Sequence, residues 1–350
     1  MSSSAYDSVI AELEQLTPQS GVLDAHCHLG RDEDGSSQDS GALLAALDEV
    51  SRSARAVVFP LQDPDRRPAY RVPNDRVLEW GRESGGRLTA YCRLDPDDDP
   101  VAEAERCLAR GARGIKLHPR GRDWESVHPA VPAIFGVARE AGVPILLHAG
   151  RNLRSMAPLV EVALQFPEVA LVLAHAGIAD QAVLTTGLAR HPQVLYDTSC
   201  FAPHDVVELF AQVPAERIVF GSDAPYGLPV EGLFLAMRAA AYAGLGPSER
   251  ALVAGGTMTA VLDGDKPPGR NPTAAGSGPS SCRLAGPRRH LPDDGFQRGA
   301  LSTTAATLPR VVMDRACPRR LPGPSPWWRR PGAGADRQPA RHGRAADHHA

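Results

Sequence analysis

The chain has 350 residues, 43% of them hydrophobic, and a formal net charge of −3. That is ample for one large core, and no apolar run approaches the ~20 residues a membrane-crossing helix needs. Residues 265–350 hold 15 Lys+Arg against 6 Asp+Glu, leaving 23 basic and 35 acidic residues in the first 264, and a body at −12 repels phosphate and argues against nucleic acid as substrate.

Met1 to Leu16 reads as a polar amphipathic helix without the basic start and apolar centre of a signal peptide. An apolar run then leads into Asp24-Ala25-His26-Cys27-His28. In a regular strand, side chains alternate between faces. Asp24, His26 and His28 are therefore expected on one face, with Ala25 and Cys27 on the other. Two imidazoles two residues apart on a stiff strand can serve as a pair of metal ligands.

From here to about residue 223 one pattern repeats: a short apolar run, a polar loop, an amphipathic stretch. The predicted strands are Val22–His28, Arg55–Leu61, Leu88–Leu94, Gly114–His118, Pro144–His148, Ala170–His175, Val194–Thr198 and Arg217–Ser222. Helices are expected between them, among them Gly41–Val50, Val101–Arg110, Val131–Ala141, Ser155–Phe166 and Asp205–Gln212, several opened by Pro or an Asp/Ser cap. Val230–Ala243 and a short helix from Pro247 to Leu262 would close the ring. Eight repeats in about 245 residues, without Gly-x-Gly-x-x-Gly after the first strand, favour an α/β protein built as a (β/α)8 TIM barrel over residues 1–264.

At Asp265 the composition changes. The segment 265–350 is rich in Pro, Gly and Arg, with no Ile, no Glu and one Lys. Such a stretch buries too little apolar surface to offset its ordering entropy, so a disordered tail is expected. An out-of-frame extension is the second reading, since a GC-rich gene read in a wrong frame has this narrow palette. Cysteines 27, 92, 107, 200, 282 and 317 show no Cys-x-x-Cys spacing, which fits reduced thiols in a cytoplasmic protein.

A barrel of this class builds its site at the C-terminal ends of its strands. Those ends carry His26 and His28 (strand 1), Lys116 and His118 (strand 4), His148 (strand 5), His175 (strand 6), Asp197 (strand 7) and Asp223 (strand 8). Closure sets strand 8 beside strand 1, and so Asp223 beside the histidine pair, with His148 facing them. Three imidazoles and a carboxylate suit one divalent ion, Zn²⁺ first, with Mn²⁺ or Fe²⁺ as alternatives. Arg120, Arg151 and Arg154 follow strands 4 and 5, where any of them could clamp a substrate carboxylate. Asp24, one layer deeper, is expected to support the site by hydrogen bonding rather than by ligation.

The ordered set Asp-x-His-x-His, Gly-x-Lys-x-His-Pro, His-Ala-Gly, His-Ala-Gly and Gly-Ser-Asp-Ala-Pro resembles the amidohydrolase superfamily, in its amidohydrolase-related (amidohydrolase 2) branch of metal-dependent hydrolases and non-oxidative decarboxylases. The resemblance covers about residues 20–264. It implies that His26, His28, His148 and Asp223 bind the metal and that His175 is the catalytic histidine. In some superfamily members a strand-4 lysine is carbamylated and bridges two metals; here Lys116, with His118 on its face, is read as a substrate-contacting lysine. The closing segment Gly255-Gly256-Thr257-Met258-Thr259 departs from the branch, which often has Asn after the glycines.

The expected activity is hydrolysis of a small amide, ester or lactone by metal-activated water, with Asp223 and His175 catalytic and Lys116, His118 and Arg151 binding substrate. The alternative within the branch is a metal-dependent decarboxylase; the short body favours the hydrolase. A TatD-like nuclease would show a glutamate at the position of Lys116. A barrel kept for binding alone is the non-enzymatic reading. The expected partner is a small molecule, with no nucleic acid and no membrane. A homodimer stays open, since no stretch specifies an interface.

Overall fold

The computed structural model describes residues 3–17, 21–119, 128–149, 157–178, 181–188, 191–199 and 202–265. The expected tail falls outside the described residues except for Asp265, whose N–H reaches Ala260 O at 2.9 Å.

After α1 (Ser3–Leu16) come β1 (Leu23–Arg31), a short antiparallel β2 (Ser37–Gln38), α2 (Ser40–Val50), β3 (Arg55–Pro60), α3 (Arg71–Glu83), β4 (Leu88–Ala90) and β5 (Cys92–Leu94). Then α4 (Pro100–Ala109), β6 (Ile115–Leu117), α5 (Val131–Ala141), β7 (Ile145–His148), α6 (Ala157–Gln165), β8 (Leu171–Ala174), α7 (Gln181–Gly187), β9 (Val194–Asp197), α8 (Pro203–Gln212) and β10 (Ile218–Val219) alternate. The chain ends in α9 (Pro229–Tyr242), α10 (Pro247–Ala251), a π-turn over Leu252–Gly256, and α11 (Thr257–Leu262). Proline opens α4, α8 and α9, where a missing N–H costs nothing. Asp39 caps α2 by accepting the Ala42 N–H at 2.8 Å. No helix among the described residues is long and apolar enough to cross a membrane.

The ladders run β2-β1-β3-β4 and β10-β9-β8-β7-β6-β5, parallel except for the β1–β2 pair. Two joins close them into a ring. Tyr91 links β4 to β5: its N–H bonds Val58 O at 2.8 Å, while the next N–H, of Cys92, bonds Gly114 O at 3.0 Å. The third barrel strand therefore changes partner at one residue. On the far side Ala25 N–H bonds Phe220 O (2.8 Å), Asp223 N–H bonds His26 O (2.8 Å) and His28 N–H bonds Ala224 O (2.7 Å). The result is the (β/α)8 TIM barrel that the repeat pattern predicts.

Its lumen is filled by Leu23, Val57, Phe59, Tyr91, Leu146, Val172, Leu195 and Val219, with Met258 and Val261 of α11 packed on them. A larger apolar shell lies between strands and helices. The closing segment serves this packing. A Cβ on Gly255 would lie 2.6 Å from both Gly21 O and Leu23 N. Backbone cannot yield as a side-chain tip can, so Gly255→Ala should cost about 1–3 kcal/mol, read as a lower urea midpoint at unchanged m-value.

The first strand corrects the expected alternation. Its register runs Asp24↔Ala56 and then Cys27↔Val58, three steps on β1 against two on β3. This extra residue is a bulge, and it resets which side each residue faces. Leu23 and Ala25 join the lumen cluster, Cys27 joins the outer shell, and His26 and His28 lie against the lumen residue Phe59. Asp24 thus points away from the two histidines. Its Oδ1 accepts the N–H groups of His26 and Ser222, both at 3.0 Å, so it braces the bulge and the start of the β10 loop.

Candidate active site

Asp223 Oδ1 lies 3.0 Å from His26 Nε2 and 3.0 Å from His28 Nε2, and the two nitrogens are 3.2 Å apart. His26 Nδ1 faces Asp197 Oδ2 at 2.8 Å. A carboxylate only accepts, so a neutral His26 keeps its proton on Nδ1 and Nε2 presents its lone pair. That lone pair, the Asp223 oxygen and His28 Nε2 all converge on one point. His26, His28 and Asp223 also form a buried set whose ligand atoms lie within 4.8 Å of one another. Electron pairs packed this closely call for a cation between them, and two imidazoles with one carboxylate match the donor chemistry of Zn²⁺, Mn²⁺ or Fe²⁺.

Charge follows this geometry. Burial would raise the Asp223 carboxyl, but His26 and His28 hold it well below the usual carboxylate range. Burial, helped by Lys116 and His26, takes His28 down to about 3 against the pull of Asp223. For His26, burial and Lys116 oppose the charge, yet Asp223 and Asp197 leave it raised. Burial pushes Asp197 up, and His26 brings it down to about 2. Backbone strain marks the same residues: His175 (φ 57°) and Asp223 (φ 59°) are left-handed, which costs roughly 1–3 kcal/mol each and is typical of functional sites.

Asp197 is the hub beneath the cluster. Besides His26 it accepts the His175 N–H at 2.8 Å, the Ser199 N–H at 3.0 Å and the Ser199 hydroxyl at 2.6 Å. With its proton given to Asp197, Ser199 Oγ accepts from His175 Nδ1 at 3.0 Å. His175 Nε2 then accepts from His148 Nδ1 at 3.1 Å. This chain leaves the lone pair of His148 on Nε2, the form a metal ligand needs. His148 itself contacts His175 and stacks on His118, with centroids 4.0 Å apart. Burial takes both His118 and His148 well below the usual imidazole range, helped by their neighbours.

Lys116 is fully buried, with Nζ 3.4 Å from His26 Nε2 and 4.5 Å from the Phe59 ring centre. Burial lowers its ammonium to about 7, against the pull of Asp223. The fold thus brings together His26, His28 and Asp223 directly, Lys116 against His26, and His118, His148 and His175 in one adjoining row. Arg151, like Arg120 and Arg154, lies outside the described residues. Asp197 was legible as a strand-end carboxylate, but its role depends on cross-strand contact. Ser199 and Arg93 carry no motif; Arg93 stands out only as a charge inside an apolar strand. Asp197→Asn should weaken metal binding about 10–100-fold, measured by competition with a chromophoric chelator.

The chain belongs to the amidohydrolase family, whose model matches residues 23–263. No curated protein sequence matches it. Among solved structures it is similar to 2,6-dihydroxybenzoate decarboxylase from Rhizobium, with a TM-score of 0.54, 15% identity and coverage of 69% of this chain and 98% of that one. It is also similar to a putative 2-pyrone-4,6-dicarboxylic acid hydrolase from Pseudomonas putida (TM-score 0.53, 19% identity, 69% and 97% covered). A third is dihydroxybenzoic acid decarboxylase from Polaromonas sp. JS666, holding manganese and 2-nitroresorcinol (TM-score 0.50, 14% identity, 69% and 97% covered). At these identities the likenesses speak for the fold, and they include both reaction types.

Proposed function

We propose that this amidohydrolase-family enzyme is a metal-dependent hydrolase of a small amide, ester or lactone. His26, His28, His148 and Asp223 would hold one divalent ion, Zn²⁺ first and Mn²⁺ or Fe²⁺ next. When bound, the ion polarises a carbonyl and acidifies water towards neutrality. Asp223 takes the proton of the attacking water, whose oxygen adds to the carbonyl carbon. His175 Nε2 receives that proton from Asp223, stabilises the developing oxyanion as an imidazolium, and passes the proton to the leaving group as its bond to carbon breaks. Lys116, His118 and Arg151 bind the substrate.

The observation that carries this reading is the placement of Asp223 Oδ1 at 3.0 Å from both Nε2 atoms. It puts a proton acceptor at the point where water would be activated. Decarboxylation instead demands a proton donor for the carbon that loses CO₂. The buried free thiols of Cys27, Cys92 and Cys107 support a reducing, cytoplasmic setting. The test is a panel run on the zinc- or manganese-loaded protein, with lactones, esters and amides followed by acid release and hydroxybenzoates by CO₂ release. Turnover of a lactone, ester or amide is expected; CO₂ release with no hydrolysis would replace this reading by the lyase.

A further inference from the structure

Arg93 lies on β5 in the run Tyr91-Cys92-Arg93-Leu94 and is 2% exposed. Its backbone is clamped by one side chain: Arg93 N–H donates to Asn74 Oδ1 at 2.8 Å, and Asn74 Nδ2 donates to Arg93 O at 3.0 Å. Asn74 is held in turn by Glu103 Oε1 at 2.8 Å. The guanidinium lies 5.1 Å from the Tyr70 ring centre and donates to Pro60 O at 3.0 Å and to Gln62 Oε1 at 2.6 Å. Tyr70 OH donates to the same Gln62 oxygen at 2.7 Å, so the amide is fixed with its oxygen towards both. Such a mount leaves the guanidinium little freedom.

A further contact runs from Arg93 Nη2 to His118 Nδ1 at 3.0 Å. A guanidinium only donates and stays protonated in proteins. Nδ1 must therefore accept, and a neutral His118 carries its proton on Nε2. Stacking on His148 holds the ring face at a 4.0 Å centroid separation. His118 is thus locked as an N–H donor, two residues beyond Lys116 and just past the end of β6.

We propose that Arg93 is a positioning residue that fixes the tautomer of His118, so that His118 binds an electron-rich substrate oxygen, a carbonyl or carboxylate, and does not act as a base. The substrate-binding part rests on the reading of His118 given above; the tautomer does not. With Lys116 alongside, the subsite selects substrates bearing an acceptor oxygen rather than an ammonium, which can only donate.

The test is ¹⁵N NMR of the zinc-loaded, histidine-labelled full chain, with His118 assigned by its loss in His118→Gln. The native spectrum should show His118 with a bare Nδ1 and a protonated Nε2, and benzoate, as a carboxylate probe, should shift the Nε2 signal. Arg93→Met should scramble the tautomer and raise KM about tenfold with kcat little changed, the size of one lost neutral hydrogen bond. Arg93→Lys, which can still donate, should keep the native tautomer. A proton on Nδ1 in the native protein overturns the proposal, and so does a native tautomer and KM in Arg93→Met. An unmoved Nε2 signal with benzoate overturns the oxygen-binding role. If Arg93→Met does not fold, the native spectrum and Arg93→Lys decide. A correct tautomer in a protein that hydrolyses nothing would count against the hydrolase alone.

Discussion

A His26→Ala/His28→Ala double variant should lose its metal while keeping its barrel. The native chain should purify with, or take up, about one equivalent of zinc or manganese, as one ion held at His26, His28 and Asp223 requires; the variant should retain less than about a tenth of that. The expectation follows from how the two nitrogens are prepared. His26 Nε2 carries a lone pair because Nδ1 faces Asp197 at 2.8 Å, and His28 Nε2 stands 3.2 Å from it, across from Asp223. Without the two rings, Asp223 keeps neither neighbour, and His148 stands with His175 and His118. Turnover should fall at least ~10²–10³-fold with the loss of this electrostatic stabilisation. The variant also leaves Asp197 Oδ2 without its histidine, a cost of about 1–3 kcal/mol, so melting should drop modestly while the far-ultraviolet spectrum stays native. Metal by mass spectrometry on both proteins decides. Equal metal in both would place the ion elsewhere, and two equivalents in the native chain would point to Lys116 as a bridging group.

The strand order and the barrel were readable because apolar runs and helical stretches alternate without a break, and closure followed from the count. The strand-end histidines were readable for the same reason: a barrel gathers the C-terminal ends of its strands whatever the details of packing. What escaped were features set by register and rotation. The bulge in β1 adds one residue with no cue in Asp24-Ala25-His26-Cys27-His28, so a strict period of two put Asp24 on the wrong face. The split of the third strand at Tyr91 is likewise invisible in Leu88–Leu94. The pairings of Asp197 with His26, Ser199 with His175, and Arg93 with His118 span 171, 24 and 25 residues. Only strand neighbourhood and side-chain direction create them. His148 shows the same limit, since its place at a strand end put it at the mouth but not beside His175.

Asp223→Asn should cut kcat by about 10²–10⁴, the range for removing a positioned general base, in a protein that still folds. The substitution nearly conserves shape, and asparagine tolerates the left-handed backbone that Asp223 adopts at φ 59°. The amide can still turn its oxygen to the imidazoles, so part of the metal affinity should survive. What it cannot do is take up a proton. The acid dependence of stability supplies an independent check. Despite burial, His26 and His28 hold the Asp223 carboxyl well below the usual range. A depressed carboxylate stabilises the fold above its unfolded value of about 3.9, and that contribution is lost as pH falls through the lower folded value. The Asn variant lacks this linkage, so its stability, followed by urea midpoints from neutral pH downward, should fall less steeply in acid than that of the native chain. Native-like kcat in the metal-loaded variant would remove Asp223 as the base, and an unchanged acid slope would mean that its carboxylate is not held low by the two histidines.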